Sequence, residues 1–426
     1  MIYTISAIVI FVLGYIAIAF EHTLRLDKAA SALITGVLCW TLYFLQADSP
    51  DSAGTLLVHH LGDIASIVFF LLGAMTIVEL IDSHNGFDII TRQITTTSKS
   101  KLLLIITLIT FFLSALLDNL TTAIVMTSLC LKILPGKQDR LWFAGLIVIA
   151  ANAGGAWSPL GDVTTTMLWI GGQITALNIV VKLLLPSMVV CTIPALIAAA
   201  RFKGKKLAKI DPSVCTPEEQ KDGKLILFTG IGFLLFVPVF KTLTHLPPFM
   251  GMLLALGLMW VITTFIHKDK PAAYLERYTV SKALQKIDSP SILFFLGILL
   301  AVTAIQSMGI LTGLANFLNS TLKNDYLIGT ALGLLSSVVD NVPLVAASQG
   351  MYDLNTYPTD HNFWEFLALT TGTGGSAIII GSAAGVAVMG IEQIDFMWYL
   401  KNISWLALLG FTAGIGAFLL QHYLTA

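Results

Sequence analysis

Long apolar segments alternate with short polar ones along almost the whole chain of 426 residues. Most are about 16–34 residues long, which suits α-helices that cross a hydrocarbon core about 30 Å thick. No alternation with the period of a β-strand recurs. The pattern therefore predicts an all-α polytopic membrane protein, whose first segment is a membrane span and not a cleaved signal peptide. The predicted apolar segments are residues 2–20, 29–46, 64–81, 101–134, 141–172, 177–200, 225–240, 248–266, 291–308, 326–350, 363–390 and 403–422.

Composition agrees with a membrane protein. Hydrophobic residues make up 56% of the chain and charged residues 12%, about half the charged fraction of a soluble domain. This excludes an ordinary cytosolic enzyme and a disordered chain. The net charge of −1 gives no basic surface for nucleic acid, and none of the four cysteines lies in a CxxC pair. Neither a metal centre, a disulfide framework nor a cofactor is therefore expected.

Charged loops predict the orientation in the bilayer. Lysine and arginine concentrate in residues 201–209 and 268–286, which are therefore expected to be cytoplasmic. The loops that carry Asp48 and Asp51, and Asp353 and Asp360, contain no lysine or arginine and are expected outside.

Two apolar segments do not fit a single crossing. Residues 101–134 would form a helix about 51 Å long, yet basic residues flank both ends. A re-entrant hairpin satisfies both facts, with its tip at residues 117–120. Residues 326–350 predict a second hairpin from the other side, with its tip at Asp340 and Asn341. Each half then has five transmembrane helices, one re-entrant hairpin and one broken helix, and the odd number inverts the second half.

Short words recur in the same order in both halves, as expected for an inverted repeat of a secondary transporter. The pairs are Phe69-Phe70-Leu71-Leu72-Gly73 and Phe294-Phe295-Leu296-Gly297, Ser114 to Asn119 and Ser336 to Asn341, and Gly154-Gly155 and Gly374-Gly375. The predicted domains are a first repeat at 1–200 (scaffold helices 1–46, transport elements 64–172), a cytoplasmic linker at 201–224, and a second repeat at 225–426 (scaffold helices 225–266, transport elements 291–390).

Polar residues at the hairpin tips are the first candidates for chemistry. A charge at mid-membrane costs about 3 kcal/mol or more, so Asp118 and Asp340 need a reason to be there. Both are followed by asparagine, and both could simply cap the returning helix. A carboxylate at this depth also suits a cation ligand or a proton carrier. The candidates at the tips are Asp118, Asn119, Thr121, Thr122, Ser336, Asp340 and Asn341.

Two glycine-rich breaks supply further candidates. Residues 152–166 and 371–382 interrupt otherwise spanning segments with glycine, and proline in the first case. Such breaks free backbone carbonyls, which bind hard cations. Asp162 starts the helix after the first break, where a capping role is the alternative. The candidates are Asn152, Asp162, Thr164 and Thr165 in the first break and Ser376 and Ser382 in the second.

The charge balance favours a cation. Glu79 is a further intramembrane acid, with either a proton-path role or an interfacial position. No arginine lies in either tip or either break, whereas an anion carrier would need basic groups there. Negative charge in a desolvated pocket must be balanced by a bound cation or by protons. This indicates competition between Na⁺ and H⁺.

At these residues the chain resembles the NhaD-type sodium/proton antiporters of the ion transporter superfamily. The words that carry the resemblance are Leu117-Asp118-Asn119-Leu120-Thr121-Thr122, Gly161-Asp162-Val163-Thr164-Thr165, Val339-Asp340-Asn341-Val342-Pro343 and Gly374-Gly375-Ser376-Ala377. The related dicarboxylate carriers typically have Ser-Asn-Thr at the tips, where this chain has Asp118 and Asp340.

The resemblance implies a homodimer in the plasma membrane that exchanges Na⁺ or Li⁺ for H⁺ by an elevator-type movement. It also implies that Glu79 and the tip and break residues are functional. Na⁺ is expected at Asp118, Asn119, Asn152, Asp162, Thr164, Asp340 and Asn341.

Three other functions are alternatives, of which only the first stays open. The same architecture could serve a Na⁺- or H⁺-coupled carrier of a small carboxylate, or an arsenite exporter. An intramembrane aspartyl protease is disfavoured because the word before Asp162 is Pro159-Leu160-Gly161 and no Tyr-Asp pair lies in an apolar segment. A purely structural membrane protein would not need two broken helices.

Overall fold

A computed structural model describes residues 2–19, 21–87, 89, 96–207, 217–268, 270 and 278–425. These residues are almost entirely helical and form no β-strand beyond an isolated bridge between Ser98 and Lys206. The all-α prediction is therefore confirmed. Parts of the two predicted basic loops (208–216, 269 and 271–277) lie outside the described residues, so part of the predicted linker does too.

The helices of the first half are α1 (Ile2–Ala19), α2 (Glu21–Leu24), α3 (Lys28–Gln46), α4 (Pro50–Ser83), α5 (Lys99–Ser114), α6 (Asn119–Ile133), α7 (Lys137–Ala156), α8 (Val163–Ile170) and α9 (Ala176–Arg201). Those of the second half are α10 (Pro217–Thr244), α11 (Pro248–His267), α12 (Val280–Lys286), α13 (Ser289–Ser307), α14 (Ile310–Leu322), α15 (Asp325–Leu335), α16 (Asn341–Met351), α17 (Asn362–Gly374), α18 (Ala383–Glu392), α19 (Phe396–Asn402) and α20 (Ser404–Thr425), with a 3₁₀ turn at Ile379–Gly381.

Seven of the described helices are long and apolar enough to cross a membrane, which makes the chain a multi-pass membrane protein. Helix α1 is a shorter, uninterrupted apolar helix, so its role as the first membrane span stays a prediction. The other remaining apolar stretches are interrupted helices. Segment 101–134 divides into α5 and α6, and segment 141–172 into α7 and α8. Both interruptions fall where the tip and the break were predicted. That the helix pairs re-enter the membrane, and that the halves are inverted, stay predictions.

The short helices α2, α12 and α19 lie outside the predicted segments, and three features of the longer helices also differ. Helix α4 starts at Pro50, fourteen residues before the predicted segment. Polar residues in its first turns hide this part of the helix from a search for apolar runs. No proline follows Pro50 in these turns, so the helix continues through them. Helix α10 starts at Pro217, inside the predicted linker. Helix α14 was missed altogether, because its apolar residues occupy one face and polar residues interrupt the run.

Glycines let helices α3 and α13 approach each other closely. A Cβ on Gly36 of α3 would lie 2.5 Å from the carbonyl oxygen of Gly297 in α13. Helix α3 packs extensively against α13, and α4 packs against α11 and α13. Helices α9 and α20 pack together on the other side, and α9 also contacts α5 and α7. The interrupted helices lie between these two groups.

Candidate functional site

Four helices begin at the tips and breaks, and each has a polar cap. The carboxylates of Asp118, Asp162 and Asp340 accept hydrogen bonds from backbone N–H groups of the first turns of α6, α8 and α16. The Ser382 hydroxyl does the same for α18. The capping interpretation is therefore confirmed. Capping does not exclude cation or proton binding by the same carboxylates, because a carboxylate has more lone pairs than a cap uses.

Asp162 is the centre of a buried polar network. Its side chain is 2% exposed. One oxygen, Oδ1, accepts from the backbone N–H of Thr164 at 3.0 Å. The other, Oδ2, accepts from Asn119 Nδ2 at 2.9 Å and from Asn341 Nδ2 at 3.3 Å. The first break thus meets the tips of both helix pairs.

Asn152 extends this network to the second break. It is fully buried in α7. Its Oδ1 accepts from Asn119 Nδ2 at 3.1 Å, and its Nδ2 donates to Ser376 Oγ and to Ser382 Oγ, each at 2.9 Å. Together these bonds join both tips and both breaks in one cluster of amides, hydroxyls and a single central carboxylate.

Matching contacts hold each helix pair against its break. Ser114 Oγ donates to the carbonyl of Ala151 at 2.6 Å, and Ser336 Oγ donates to that of Thr371 at 2.8 Å. Ser114 belongs to a word that recurs in both halves, but the sequence does not predict this hydrogen bond. Ser336 supports the backbone of the second break and forms no hydrogen bond with Asp162 in this structure.

Asp118 and Asp340 lie at the edge of the network and do not bond to Asp162. Asp118 accepts from the N–H and the hydroxyl of Thr121, each at 2.8 Å. Asp340 accepts from the N–H of Val342 at 3.1 Å. Each of the two carboxylates lines its own cavity. One cavity is lined by Asp118 and Asn119, and the other by Asp340 and Ser382.

Three threonine hydroxyls near these caps differ in their partners. Oγ1 of Thr122, on a fully buried residue, has no hydrogen-bond partner in the described part of the chain. Thr165 Oγ1, by contrast, donates to the carbonyl of Ala156 at 3.5 Å. Buried hydroxyls rarely stay unpaired, so that of Thr122 can bind an ion or a water molecule. The hydroxyl of Thr164 lies beside the Asp162 carboxylate and interacts with it.

Glu79 lies apart from this network. Its carboxylate forms an ion pair with Lys286 at 3.1 Å and accepts from Ser83 Oγ at 2.8 Å. The lysine side chain is 51% exposed, so the pair is reached by solvent. The sequence had identified Lys286 only as one of several basic loop residues.

The electrostatics of the site are those of an acidic pocket. Within the described residues, no lysine or arginine forms an ion pair with Asp118, Asp162 or Asp340. The charged groups that act on Asp162 are the other two carboxylates. Lys28 lines the cavity at Asp340, but its ammonium lies over the ring of Phe294, 4.8 Å from the centroid.

One residue that supports the second break could not be identified from the sequence. Tyr399 is fully buried, and its hydroxyl donates to the backbone carbonyl of Ser376 at 2.9 Å. It lies in α19, a short helix between two predicted spans, so neither spacing nor motif pointed to the second break.

Comparison with known proteins agrees with these features. The family model of the citrate transporters, CitMHS, matches residues 7–374. Sodium/proton antiporter 1 of Arabidopsis thaliana is 46% identical over 99% of this chain and 73% of its own length. The Na⁺/H⁺ antiporter NhaD of Vibrio cholerae is 30% identical over 98% of this chain and 92% of its own. A second Arabidopsis protein, sodium/proton antiporter 2, is 44% identical over 97% of this chain and 98% of its own length.

These proteins are transporters, so the chain is a transporter and not an enzyme. The family match covers both tips and the first break and ends at residue 374, inside the second break. Relatives named as NhaD match nearly the full length of the chain. The chain belongs to the CitMHS family of membrane transporters and, within it, to the relatives of the NhaD-type sodium/proton antiporters.

Proposed function

We propose that this chain exchanges Na⁺ or Li⁺ for H⁺ across the plasma membrane. The observation that carries the proposal is the buried Asp162 carboxylate, which two asparagine amides hold and no described basic side chain neutralises. Such a charge must be balanced, because an uncompensated buried carboxylate is strongly destabilising. A dehydrated alkali cation balances it in one state, and a proton balances it in the other.

The oxygen atoms around Asp162 suit a hard cation, which prefers carboxylate, carbonyl and hydroxyl ligands. In this proposal Na⁺ binds among Asp162, Asn152 and the hydroxyl of Thr164. Asn119 and Asn341 close the site from the two tips. Protons compete at Asp162, and at Asp118 and Asp340, which line the two cavities that approach the network.

The same contacts support an elevator-type movement. The network joins both tips and both breaks, so these elements can move as one body that carries the ion. The packing of α4 against α11 and of α13 against α3 supports counting α4 and α13 with the scaffold, not with the transport elements as predicted from the sequence. The scaffold of one chain would pair with that of a second to form the homodimer.

The test uses proteoliposomes that hold an imposed pH gradient and a pH-sensitive dye. Additions of Na⁺, Li⁺ and K⁺ salts, followed by choline salts of citrate and succinate, distinguish the substrates. Dissipation of the gradient by Na⁺ or Li⁺, and its loss in Asp162→Asn, is the expected result. Asp48→Asn removes an exposed loop carboxylate and serves as the matched control. Exchange that survives Asp162→Asn would contradict the assignment.

A second candidate is a Na⁺- or H⁺-coupled carrier of a small carboxylate, which the name of the matching family, citrate transporter, favours. The acidic pocket disfavours it, because a carboxylate substrate would meet Asp118, Asp162 and Asp340, none of which forms an ion pair with a described lysine or arginine. Lys28 is the one lysine in the lining of the cavity at Asp340, and its ammonium lies over the ring of Phe294. An arsenite exporter is the remaining alternative. A response to citrate, succinate or arsenite and none to Na⁺ or Li⁺ would move the function to this class.

A further inference from the structure

A cluster of metal-ligating side chains lies in the first part of α4, outside the transport network. His59, His60 and Asp63 each offer one ligand atom, and these atoms lie within 4.8 Å of one another. Spacings of three and four residues put both histidines and the carboxylate on neighbouring positions of one helix face. Among the described residues this is the one group of three such side chains with that geometry.

The cluster lies where aqueous ions can reach it. Helix α4 has 34 residues and is about 51 Å long, longer than a bilayer core. Its apolar segment starts at Ile64, so the three residues lie just beyond it, toward the loop expected outside. The side chains of His59 and Asp63 are 73% and 70% exposed, and His59 Nδ1 lies 3.6 Å from Asp63 Oδ2.

His60 is the anchored member of the group. Its ring packs against Trp40 of α3 with centroids 6.0 Å apart. Its Nε2 lies 3.4 Å from the hydroxyl oxygen of Ser307 in α13. Three helices therefore fix the orientation of this imidazole, whereas a solvated histidine would rotate freely.

The partners of Ser307 determine the tautomer of His60. The single hydroxyl proton of Ser307 is donated to the carbonyl of Thr303 at 2.7 Å. The serine oxygen can then only accept from His60, so the Nε2 of the neutral imidazole carries the proton. Its Nδ1 keeps a lone pair. A ring nitrogen that donates to an oxygen while the other stays unprotonated is the usual arrangement of a metal-binding histidine.

We propose that His59, His60 and Asp63 bind one divalent transition-metal ion, with Zn²⁺ as the representative, at the outer end of α4. Two imidazoles and one carboxylate are ligands that suit zinc, cobalt and nickel. Bonds of about 2 Å to a shared ion put ligand atoms within about 4 Å of one another, so small side-chain rotations complete the site. Water fills the remaining coordination positions. The site is separate from the transport network and does not depend on the proposed function.

The test measures Zn²⁺ binding by isothermal titration calorimetry, on full-length protein purified in detergent without a histidine tag. Three variants probe the site: His60→Ala, Asp63→Asn and Ser307→Ala. His245→Ala is the matched control, because His245 is an exposed histidine in a different loop. Co²⁺ absorption provides a second readout that reports ligand geometry.

We expect one Zn²⁺ per chain in the wild type and in His245→Ala, and no binding at that site in His60→Ala. Loss of the hydrogen bond in Ser307→Ala should weaken binding about tenfold, as for other orienting groups behind a metal ligand. Absence of stoichiometric binding in the wild type would overturn the proposal. So would binding that is unchanged in His60→Ala, since the ion would then lie elsewhere.

Discussion

The side-chain amides of Asn119 and Asn341 converge on the same oxygen atom, Oδ2 of Asp162, at 2.9 Å and 3.3 Å. Each asparagine is the first residue of a helix that follows a tip, and the two helices belong to opposite halves of the chain. The two amides stabilise a carboxylate that would otherwise lie buried without a partner for that oxygen. The site therefore exists only when both halves are docked.

Removal of either amide should weaken ion binding. We expect Asn119→Ala and Asn341→Ala each to raise the KM for Na⁺ about tenfold or more, because a hydrogen bond to a charged group is worth about 1.5–3 kcal/mol. Initial rates of exchange against Na⁺ concentration measure the effect. An unchanged KM in both variants would show that the amides only support the fold.

The unpaired hydroxyl of Thr122 gives a prediction that separates function from stability. Thr122→Val removes a buried hydroxyl that has no described protein partner. Such a change should leave stability unchanged or increase it, and should raise the KM for Na⁺ if the hydroxyl binds the ion. Thr127→Val is the matched control, since its hydroxyl is also buried and unpaired but lies further along α6. Equal KM values in both variants would argue against ion ligation.

The glycines at the breaks should not tolerate even a methyl group. A Cβ at Gly154 would lie 2.2 Å from the carbonyl oxygen of Phe111, and one at Gly374 would lie 1.9 Å from that of Gly333. We expect alanine at either position to destabilise the protein by about 1–3 kcal/mol, seen as a lower Tm in detergent. At Gly416 a Cβ meets no atom within 4 Å, so Gly416→Ala should leave the Tm unchanged or raise it. A larger loss of Tm in Gly416→Ala than in the two break variants would contradict the close helix contacts at Gly154 and Gly374.

Two ion pairs should differ in their effect on stability. Glu392 is 1% exposed and accepts from Arg140 Nε at 3.0 and 3.1 Å, which ties α7 to the end of α18. Arg140→Ala leaves this carboxylate buried and unpaired, at a cost of about 3–5 kcal/mol. Lys286 is half-exposed and pairs with Glu79. Lys286→Ala should therefore lower the free energy of unfolding by about 1 kcal/mol or less. Thermal unfolding of both variants measures the difference, and similar losses would contradict the burial argument.

The helical class and the positions of the interruptions were predictable from the sequence. Segment 101–134 is too long for one crossing, and glycines interrupt 152–166, so helix ends were expected near Asp118 and Asp162, where they are found. Helix α14 could not be found in this way, because segment length detects only uninterrupted apolar runs. The starts of α4 and α10 were misjudged for the same reason.

The candidate site was predicted as a set of residues and not as an arrangement. The tip and break motifs identified Asn119, Asn152, Asp162 and Asn341, which the structure brings together. Glu79 was identified separately, as an acid within an apolar segment, and it pairs with Lys286 away from the network. Residue type alone does not distinguish Asp162 from Glu79, because burial of either carboxylate costs free energy. Only the neighbouring residues decide whether amides or a lysine stabilise the charge.

By itself, the sequence determined the membrane environment, the helices and their interruptions, since these follow from the local length of apolar runs and from glycine and proline. It also determined which polar residues interrupt or border the apolar segments. Only the tertiary structure decided that two asparagines share one oxygen of Asp162, that Ser307 sets the tautomer of His60, and that Tyr399 supports the second break. Hydrogen bonds act over about 3 Å, so contacts between residues far apart in the chain depend on how the helices pack.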